Sequence, residues 1–248
     1  MRITEHVYLV GSGHLGFDLT DPYDCNVYLI DGGTELALID GGSGMGVPLI
    51  QAQITAHGFS LEEVKSLILT HSHGDHGGGA WVWKEAMPHL EVLGTSETRD
   101  ALTYEGDGGE IMAAAKRHGY YPADYLLHPC KVDKVVRTGD VISVGSVDFK
   151  VIQTPGHCDS LMCLVTYLDG KKMLFCGDMV FCGGRISTQA VPDCRPYEYY
   201  RSLKRIAQES VDALFPGHYE FSLRDANRHL LAALEYFDRL AIAPSNVT

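Results

Sequence analysis

Two kinds of apolar run alternate along the chain. In the first forty residues the runs are short and rich in β-branched and aromatic side chains: residues 7–10, 25–31 and 35–40, parted by Asp31-Gly32-Gly33 and closed by Asp40-Gly41-Gly42. This punctuation predicts antiparallel strands joined by tight turns. A helix is predicted over residues 48–57, with Pro48 in its first turn and Gly58 as its stop. Ser60 and Glu63 have capping-box spacing ahead of the apolar run 64–70, in which Leu67-Ile68-Leu69 reads as a buried strand leading directly into His71. Trp81 and Trp83 follow on what reads as a helix, where core packing is their expected role.

The second half repeats the plan. Strands are predicted over residues 132–136, 147–154, 161–167 and 172–176, then a helix over 197–209, a short strand over 213–215 and a closing helix over 223–240 capped by Ser222 with Asp225. In that last helix Leu230, Leu231, Leu234, Phe237 and Leu240 recur at helical spacing, a core-facing stripe. Residues 97–128 break the pattern: helical stretches at 97–104 and 110–118 are interrupted by Gly106-Asp107-Gly108-Gly109 and by Tyr120-Tyr121-Pro122. The segment reads as an insertion, and Tyr104, Tyr120, Tyr121 and Tyr125 equip it to cap an apolar pocket. Strand-rich halves that each carry helices predict an α+β protein, two sheets face to face with helices outside, in one domain over residues 1–248.

Composition narrows the function classes. The chain has 248 residues, 45% hydrophobic and 21% charged, an ordinary globular balance with enough core to dispense with disulfides. Its 32 acidic against 20 basic side chains give a net charge of -12, which argues against a nucleic-acid partner. No apolar stretch approaches the roughly 20 residues of a membrane span. The first residues also lack a secretory apolar core, so no membrane partner and a cytoplasmic location are expected. The seven cysteines contain no CxxC pair and are expected to stay reduced.

Candidate chemistry concentrates in Thr70-His71-Ser72-His73-Gly74-Asp75-His76-Gly77-Gly78-Gly79, three imidazoles and a carboxylate within six residues of a buried strand. Imidazole nitrogen and carboxylate oxygen suit borderline divalent ions such as zinc, and the flanking glycines let the backbone turn tightly enough for the donors to converge. His71 and His73 are two apart in an extended segment and face one side; Asp75 and His76 come after a turn and can face a second ion. Asp40, His157, Asp178 and His218 each stand where an apolar run ends in a glycine or proline turn.

Taken in order, the His71–His76 cluster, His157, Asp178 and His218 resemble the metallo-β-lactamase superfamily of metallohydrolases. The likeness runs from Asn26-Val27-Tyr28-Leu29-Ile30-Asp31 through His218. It implies an αββα four-layer sandwich with the metal centre at one edge of the two sheets. Carried over by position, it implies that His71, His73 and His157 bind one ion, that Asp75, His76 and His218 bind the other, and that Asp178 bridges both. Asp40 matches the family's buried aspartate, which hydrogen-bonds a ligand histidine and fixes its tautomer. Two divalent ions, zinc first with manganese or iron as alternatives, would hold a hydroxide between them and polarise the bond under attack. Asp75, with one oxygen on metal and the other free, is the candidate to carry the proton to the leaving group.

The expected substrate is a small molecule with an ester-type bond: lactone, thioester or carboxylic ester. A bridging carboxylate such as Asp178 is absent from true β-lactamases of this fold, which ranks β-lactam hydrolysis lower. Gly177-Asp178-Met179-Val180-Phe181-Cys182-Gly183-Gly184-Arg185 looks like the substrate-contacting segment of glyoxalase II, but the short run after His218 leaves no room for that enzyme's helical domain. Acyl-homoserine-lactone lactonases are similar in their tail, yet carry a tyrosine where this chain has Phe181. Phe181 and Arg185, with Phe17 and Tyr23 from the loop 11–23, are the candidate substrate contacts. The alternative from another reaction class is a mononuclear iron oxygenase resembling the persulfide dioxygenases of this fold. A homodimer is a prior for such chains and nothing in the sequence tests it.

Overall fold

The structure, a computed structural model, describes residues 1–103, 109–239 and 241–245. The chain divides into two compact units, Met1–Val136 with Val144–Ser146, and Arg137–Ser143 with Val147–Thr248.

The first unit is built on a six-stranded sheet in the order β1 (Val7–Gly11), β2 (Val27–Asp31), β3 (Leu36–Ile39), β4 (Val64–Ile68), β5 (Glu91–Gly94), β6 (Lys134–Val135). The first three strands pair antiparallel, as the tight turns between them require, and the last four pair parallel. Parallel neighbours need crossovers. Those are supplied by α1 (Val47–Ala56), by α2 (Ala80–Ala86), and by α3 (Ser96–Thr103) with α4 (Gly109–Arg117). Val10, Val27, Leu29, Leu38, Leu67 and Val92 on one set of alternate positions pack with Ile50 and Ile54 of α1 and Trp83 of α2. Leu9, Tyr28, Ile30, Ala37 and Ile39 on the other set are buried too. Burial on both faces explains why these strands read as continuous apolar runs. The capping box holds as expected: Ser60 accepts from the Glu62 N–H and Glu63 from the Ser60 N–H, heading a single 3₁₀ turn at Leu61–Glu63.

The second unit carries a five-stranded sheet in the order β11 (Ala213–Pro216), β10 (Lys171–Gly177), β9 (Met162–Leu168), β8 (Val147–Gln153), β7 (Val141–Val144). Strands β8, β9 and β10 form an antiparallel meander, and β11 returns parallel to β10 after α5 (Pro196–Ala207). One face packs Ile152, Cys163, Val165, Leu174 and Leu214 with Leu203 and Ile206 of α5 and Leu230 and Ala233 of α6 (Asn227–Asp238). On the alternate positions Phe175 and Phe215 are register partners stacked at 4.7 Å, and Phe149 meets Phe175 edge-on at 5.9 Å.

The structure corrects several sequence expectations. The closing helix begins at Asn227 without a side-chain cap. Ser222 is held instead in a two-way backbone bridge with Leu214, and its hydroxyl donates to the Arg224 carbonyl, so it is tied down five residues before the helix starts. Leu231 is 54% exposed and leaves the predicted stripe to Leu230, Leu234 and Phe237. The strand predicted over 132–136 shrinks to β6, while β5 and β7, four residues each, were not predicted. Tyr104, most of the Gly106–Gly109 stretch and Leu240 lie outside the described residues. All seven cysteines are free thiols, as expected.

Candidate metal centre

In the first unit the donors come from the turn after β4. The chain leaves Thr70, passes His71 and His73, and winds into a turn in which the N–H groups of His76 and Gly77 both donate to the His73 carbonyl, at 3.0 and 2.8 Å. The imidazole rings gather: His71 lies 4.7 Å from His73 and 4.0 Å from His76, centroid to centroid. His76 Nε2 stands 3.6 Å from Asp75 Oδ2. Three backbone bonds fix the turn, from Gly41 N–H to the His76 carbonyl (2.8 Å), from Gly79 N–H to that of Gly42 (2.8 Å) and from Cys25 N–H to that of Asp75 (3.3 Å). Trp83 adds an indole donor to the Gly41 carbonyl at 2.9 Å while filling the core as expected.

Asp40 organises these rings from behind. It follows β3 with φ +65, a left-handed conformation that Asp and Asn tolerate better than most residues. Its carboxylate accepts from the Thr70 N–H (2.7 Å) and the Thr70 hydroxyl (2.8 Å), and Oδ2 meets His76 Nδ1 at 2.8 Å. A carboxylate only accepts, so His76 carries its proton on Nδ1 and presents Nε2 as a lone pair. Thr70 passes the same logic on: its one hydrogen goes to Asp40, so its oxygen accepts from His71 Nδ1 at 3.0 Å and puts the ring's lone pair on Nε2 likewise. Neither Thr70 nor Cys25 was singled out in the sequence. Burial, reinforced by the neighbouring carboxylates against the pull of His76, pushes the Cys25 thiol up to about 12, so it faces this pair as a neutral thiol.

Residues 121 and 125, after α4, reach the same turn. Tyr121 and Tyr125 are 8% and 6% exposed, stack at 4.9 Å and cluster with Met112. Tyr121 accepts from the Asp75 N–H (3.2 Å) and donates to Asp75 Oδ1 at 2.6 Å. Tyr125 points its hydroxyl at the carbonyls of Ser43 (2.9 Å) and Gly74 (3.0 Å). The oxygen of Asp75 expected to be free is therefore occupied by a phenol. Room for these rings comes from two glycines: a Cβ on Gly78 would sit 2.1 Å from the Tyr125 hydroxyl, and one on Gly74 2.9 Å from the Tyr125 ring.

In the second unit three turns present three donors. His157 Nδ1 donates to the Ser187 carbonyl at 2.8 Å, again putting the lone pair on Nε2. That Nε2 and the Nε2 of His218 each lie 3.6 Å from the same oxygen, Oδ2 of Asp178. Tyr199 of α5 ties the arms together, its hydroxyl donating to the Asp178 carbonyl (2.7 Å) and accepting from the Ser187 N–H (3.2 Å). A Cβ on Gly156 would meet Tyr199 Cα at 2.5 Å, so the turn before His157 needs glycine for α5 to come this close. No sequence pattern marks Tyr199 as more than a helix-face aromatic.

The donor chemistry fits divalent ions. Ligands about 2.0–2.1 Å from a tetrahedral ion stand roughly 3.4 Å from one another. The 3.6 Å spacings of His76 with Asp75, and of His157 and His218 with Asp178, are close to that and longer than a hydrogen bond should be.

Among the candidate substrate contacts, Phe17 and Tyr23 are half-buried in a loop pinned by the Phe17 N–H on Ser12 Oγ (2.7 Å) and the Tyr23 N–H on Asp21 Oδ1 (3.0 Å). Phe181 is 2% exposed and packs edge-on to Tyr219 beside His218, bracing that histidine. Arg185 is exposed, and its carbonyl accepts from the Phe181 N–H.

Comparison with known proteins gives this geometry a family. The model of the metallo-beta-lactamase superfamily matches residues 20–218, which takes in every donor described. The acyl-coenzyme A thioesterase MBLAC2 of Gallus gallus is 25% identical over 228 residues, 88% of this chain and 79% of that one. The atrochrysone carboxyl ACP thioesterase of Aspergillus fumigatus is 30% identical over 195 residues, 78% of this chain and 50% of the relative. Among solved structures, a metallo-beta-lactamase family protein of Thermus thermophilus superposes with a TM-score of 0.73 at 21% identity, covering 94% of this chain and 80% of that one. The expected fold class is thereby borne out, and the chain belongs to the metallo-β-lactamase superfamily as a hydrolase.

Proposed function

We propose that this chain is a binuclear metallohydrolase that cleaves the thioester of a small acyl-thiol substrate. The observation that carries the binuclear reading is Asp178 Oδ2, placed at the same 3.6 Å from the Nε2 nitrogens of His157 and His218, a carboxylate set to serve more than one ligand sphere. In this reading His71, His73 and His157 hold one ion, Asp75, His76 and His218 hold the other, and Asp178 is common to both. Support comes from the matched family, whose model spans residues 20–218, and from the tautomers that put the lone pairs of His71, His76 and His157 on Nε2. Zinc is the first candidate, with manganese or iron as alternatives.

Bound there, two divalent ions would lower the pKa of water to about 7 and polarise the carbonyl under attack. The chain's own residues do the rest. Asp40, Thr70 and Ser187 hold the rings of His76, His71 and His157 in one tautomer, so no reorientation is needed when a ligand arrives. Asp75 Oδ2 faces the His76 side and Oδ1 is held by Tyr121, so any proton Asp75 passes on leaves from a carboxylate already fixed in angle.

The thioester is preferred over lactone and carboxylic ester because two of the relatives are named thioesterases, one for acyl-coenzyme A and one for an acyl carrier protein. It also suits the site: a thiol with an ordinary pKa near 8.5 departs readily as thiolate and needs little help from an acid. The structural neighbours, at 21% identity, speak to fold alone and lend β-lactam hydrolysis no support. The iron oxygenase reading is not favoured by thioesterase relatives. The test is elemental analysis of the full chain purified without added metal, followed by turnover of acyl-coenzyme A, a lactone and a carboxylic ester in parallel. About two ions per chain and a clear preference for the thioester are expected. About one iron per chain with oxygen consumption would replace this function by the oxygenase.

A further inference from the structure

We infer that Tyr121, from the segment after α4, is a positioning residue for the Asp75 carboxylate, setting which of its oxygens faces the ion and at what angle. The inference rests on the reading of Asp75 as a metal ligand and adds the group that aims it.

Four observations within one unit carry it. The Tyr121 hydroxyl makes both of its bonds to one residue: it accepts from the Asp75 N–H at 3.2 Å and donates to Oδ1 at 2.6 Å, closing a small ring over the Asp75 backbone and side chain. That ring fixes the carboxylate torsion, because Oδ1 cannot swing away without losing its donor. The other oxygen, Oδ2, lies 3.6 Å from His76 Nε2. The phenol is itself packed on its faces: its ring is 8% exposed, stacked on Tyr125 at 4.9 Å with an interplanar angle of 18° and clustered with Met112 of α4. Finally, the turn is shaped to admit it. A Cβ on Gly74 would approach the Tyr121 ring to 3.1 Å, and one on Gly78 would collide with the Tyr125 hydroxyl at 2.1 Å, so the glycines next to the ligands leave the space the tyrosine pair fills.

A terminal carboxylate torsion is broad and roughly two-fold when nothing holds it. A ligand carboxylate that is hydrogen-bonded on its second oxygen loses that freedom before the ion arrives, which is why such partners commonly affect metal affinity or activity by 10–100-fold. The segment after α4 thus delivers one hydroxyl to the Asp75 carboxylate.

The experiment is Tyr121→Phe in the full chain, which keeps the ring, the stack and the glycine cradle and removes only the hydroxyl. Ion affinity is measured by competition with a chelator, and kcat and KM on whichever ester-type substrate the wild type turns over best. A fall of about 10–100-fold in kcat or in affinity for one of the ions, with KM within about two-fold, is expected. In an Asp75→Asn background the same change should add less than about two-fold, since the carboxylate it aims is gone. Wild-type chain that takes up two ions, together with Tyr121→Phe within two-fold of it in affinity and kcat, overturns the inference and leaves the metallohydrolase reading standing. Full additivity with Asp75→Asn overturns it as well. Wild-type chain that takes up no divalent ion overturns both readings at once.

Discussion

Asp40 shows how much one side chain can arrange. Its two oxygens take the Thr70 N–H and hydroxyl and the His76 imidazole, and through Thr70 they also set His71. Replacing it by asparagine keeps the left-handed backbone comfortable at φ +65 but puts an amide, half of which donates, where only acceptors fit. Either His76 flips its tautomer or a buried N–H pair faces itself without acceptor. Asp40→Asn should therefore weaken ion binding by about 10–100-fold while the chain still folds. Chelator competition on the purified variant, with circular dichroism as the folding check, measures it; unchanged affinity would mean that the His76 tautomer is held by something else.

At the scale of elements, the second unit is stitched at the edge away from its donors. Glu209, just after α5, accepts from Lys150 of β8 at 2.7 Å and Lys172 of β10 at 2.9 Å. Burial alone would raise its carboxyl, yet the two ammonium groups outweigh that and hold it below the usual 4.5. A depressed carboxyl contributes stability at pH values above its unfolded pKa and loses it as pH falls through the folded one. The two lysine side chains are 52% and 36% exposed, so water screens the pair and the whole contribution is at most about 1 kcal/mol. Glu209→Gln should lower the melting temperature by about 2–4 °C at pH 7, and the gap to wild type should close as pH falls below 4.5. A gap that persists in acid would assign the loss to packing. Nearer the donors, α5 works differently, with Tyr199 joining the Asp178 and Ser187 backbones by neutral hydrogen bonds that do not titrate in this range; burial, first of several causes, pushes its phenol well above 10.

For the molecule as a whole, the proposed metallohydrolase reading predicts that divalent ions stabilise the folded chain. A ligand that binds only the folded chain stabilises it by RT ln(1 + [L]/Kd), about 4 kcal/mol at a thousand-fold excess over Kd. With roughly 2–4 °C per kcal/mol for a chain of this size, stripping the ions with a chelator should lower the melting temperature by on the order of 10 °C, and returning zinc should restore it. Calorimetry of the stripped and reloaded protein decides; equal midpoints would count against ions resident at these residues. Among the described residues no helix is long and apolar enough to cross a membrane.

The candidate donors are nameable from the sequence, as are most of the elements that carry them. His157, Asp178 and His218 each follow a short apolar run and a glycine or proline turn, and His71, His73, Asp75 and His76 crowd into the six residues after another apolar run, because strand ends are where a rigid backbone can present a polar group. Local signals of this kind depend on neighbours in the chain and survive without knowledge of the fold. What the tertiary structure alone decided is which side chains stand behind those donors. Asp40 and His76, Tyr121 and Asp75, His157 and Ser187, Tyr199 and Asp178 are separated by 21 to 46 residues and joined by only one or two hydrogen bonds each. A threonine before a histidine, a tyrosine after a helix or a serine carbonyl in a loop looks ordinary until another segment arrives against it. The same reason accounts for the cap that Ser222 did not provide and the stripe that Leu231 left: spacing names the candidates, and the competition among partners in three dimensions assigns them.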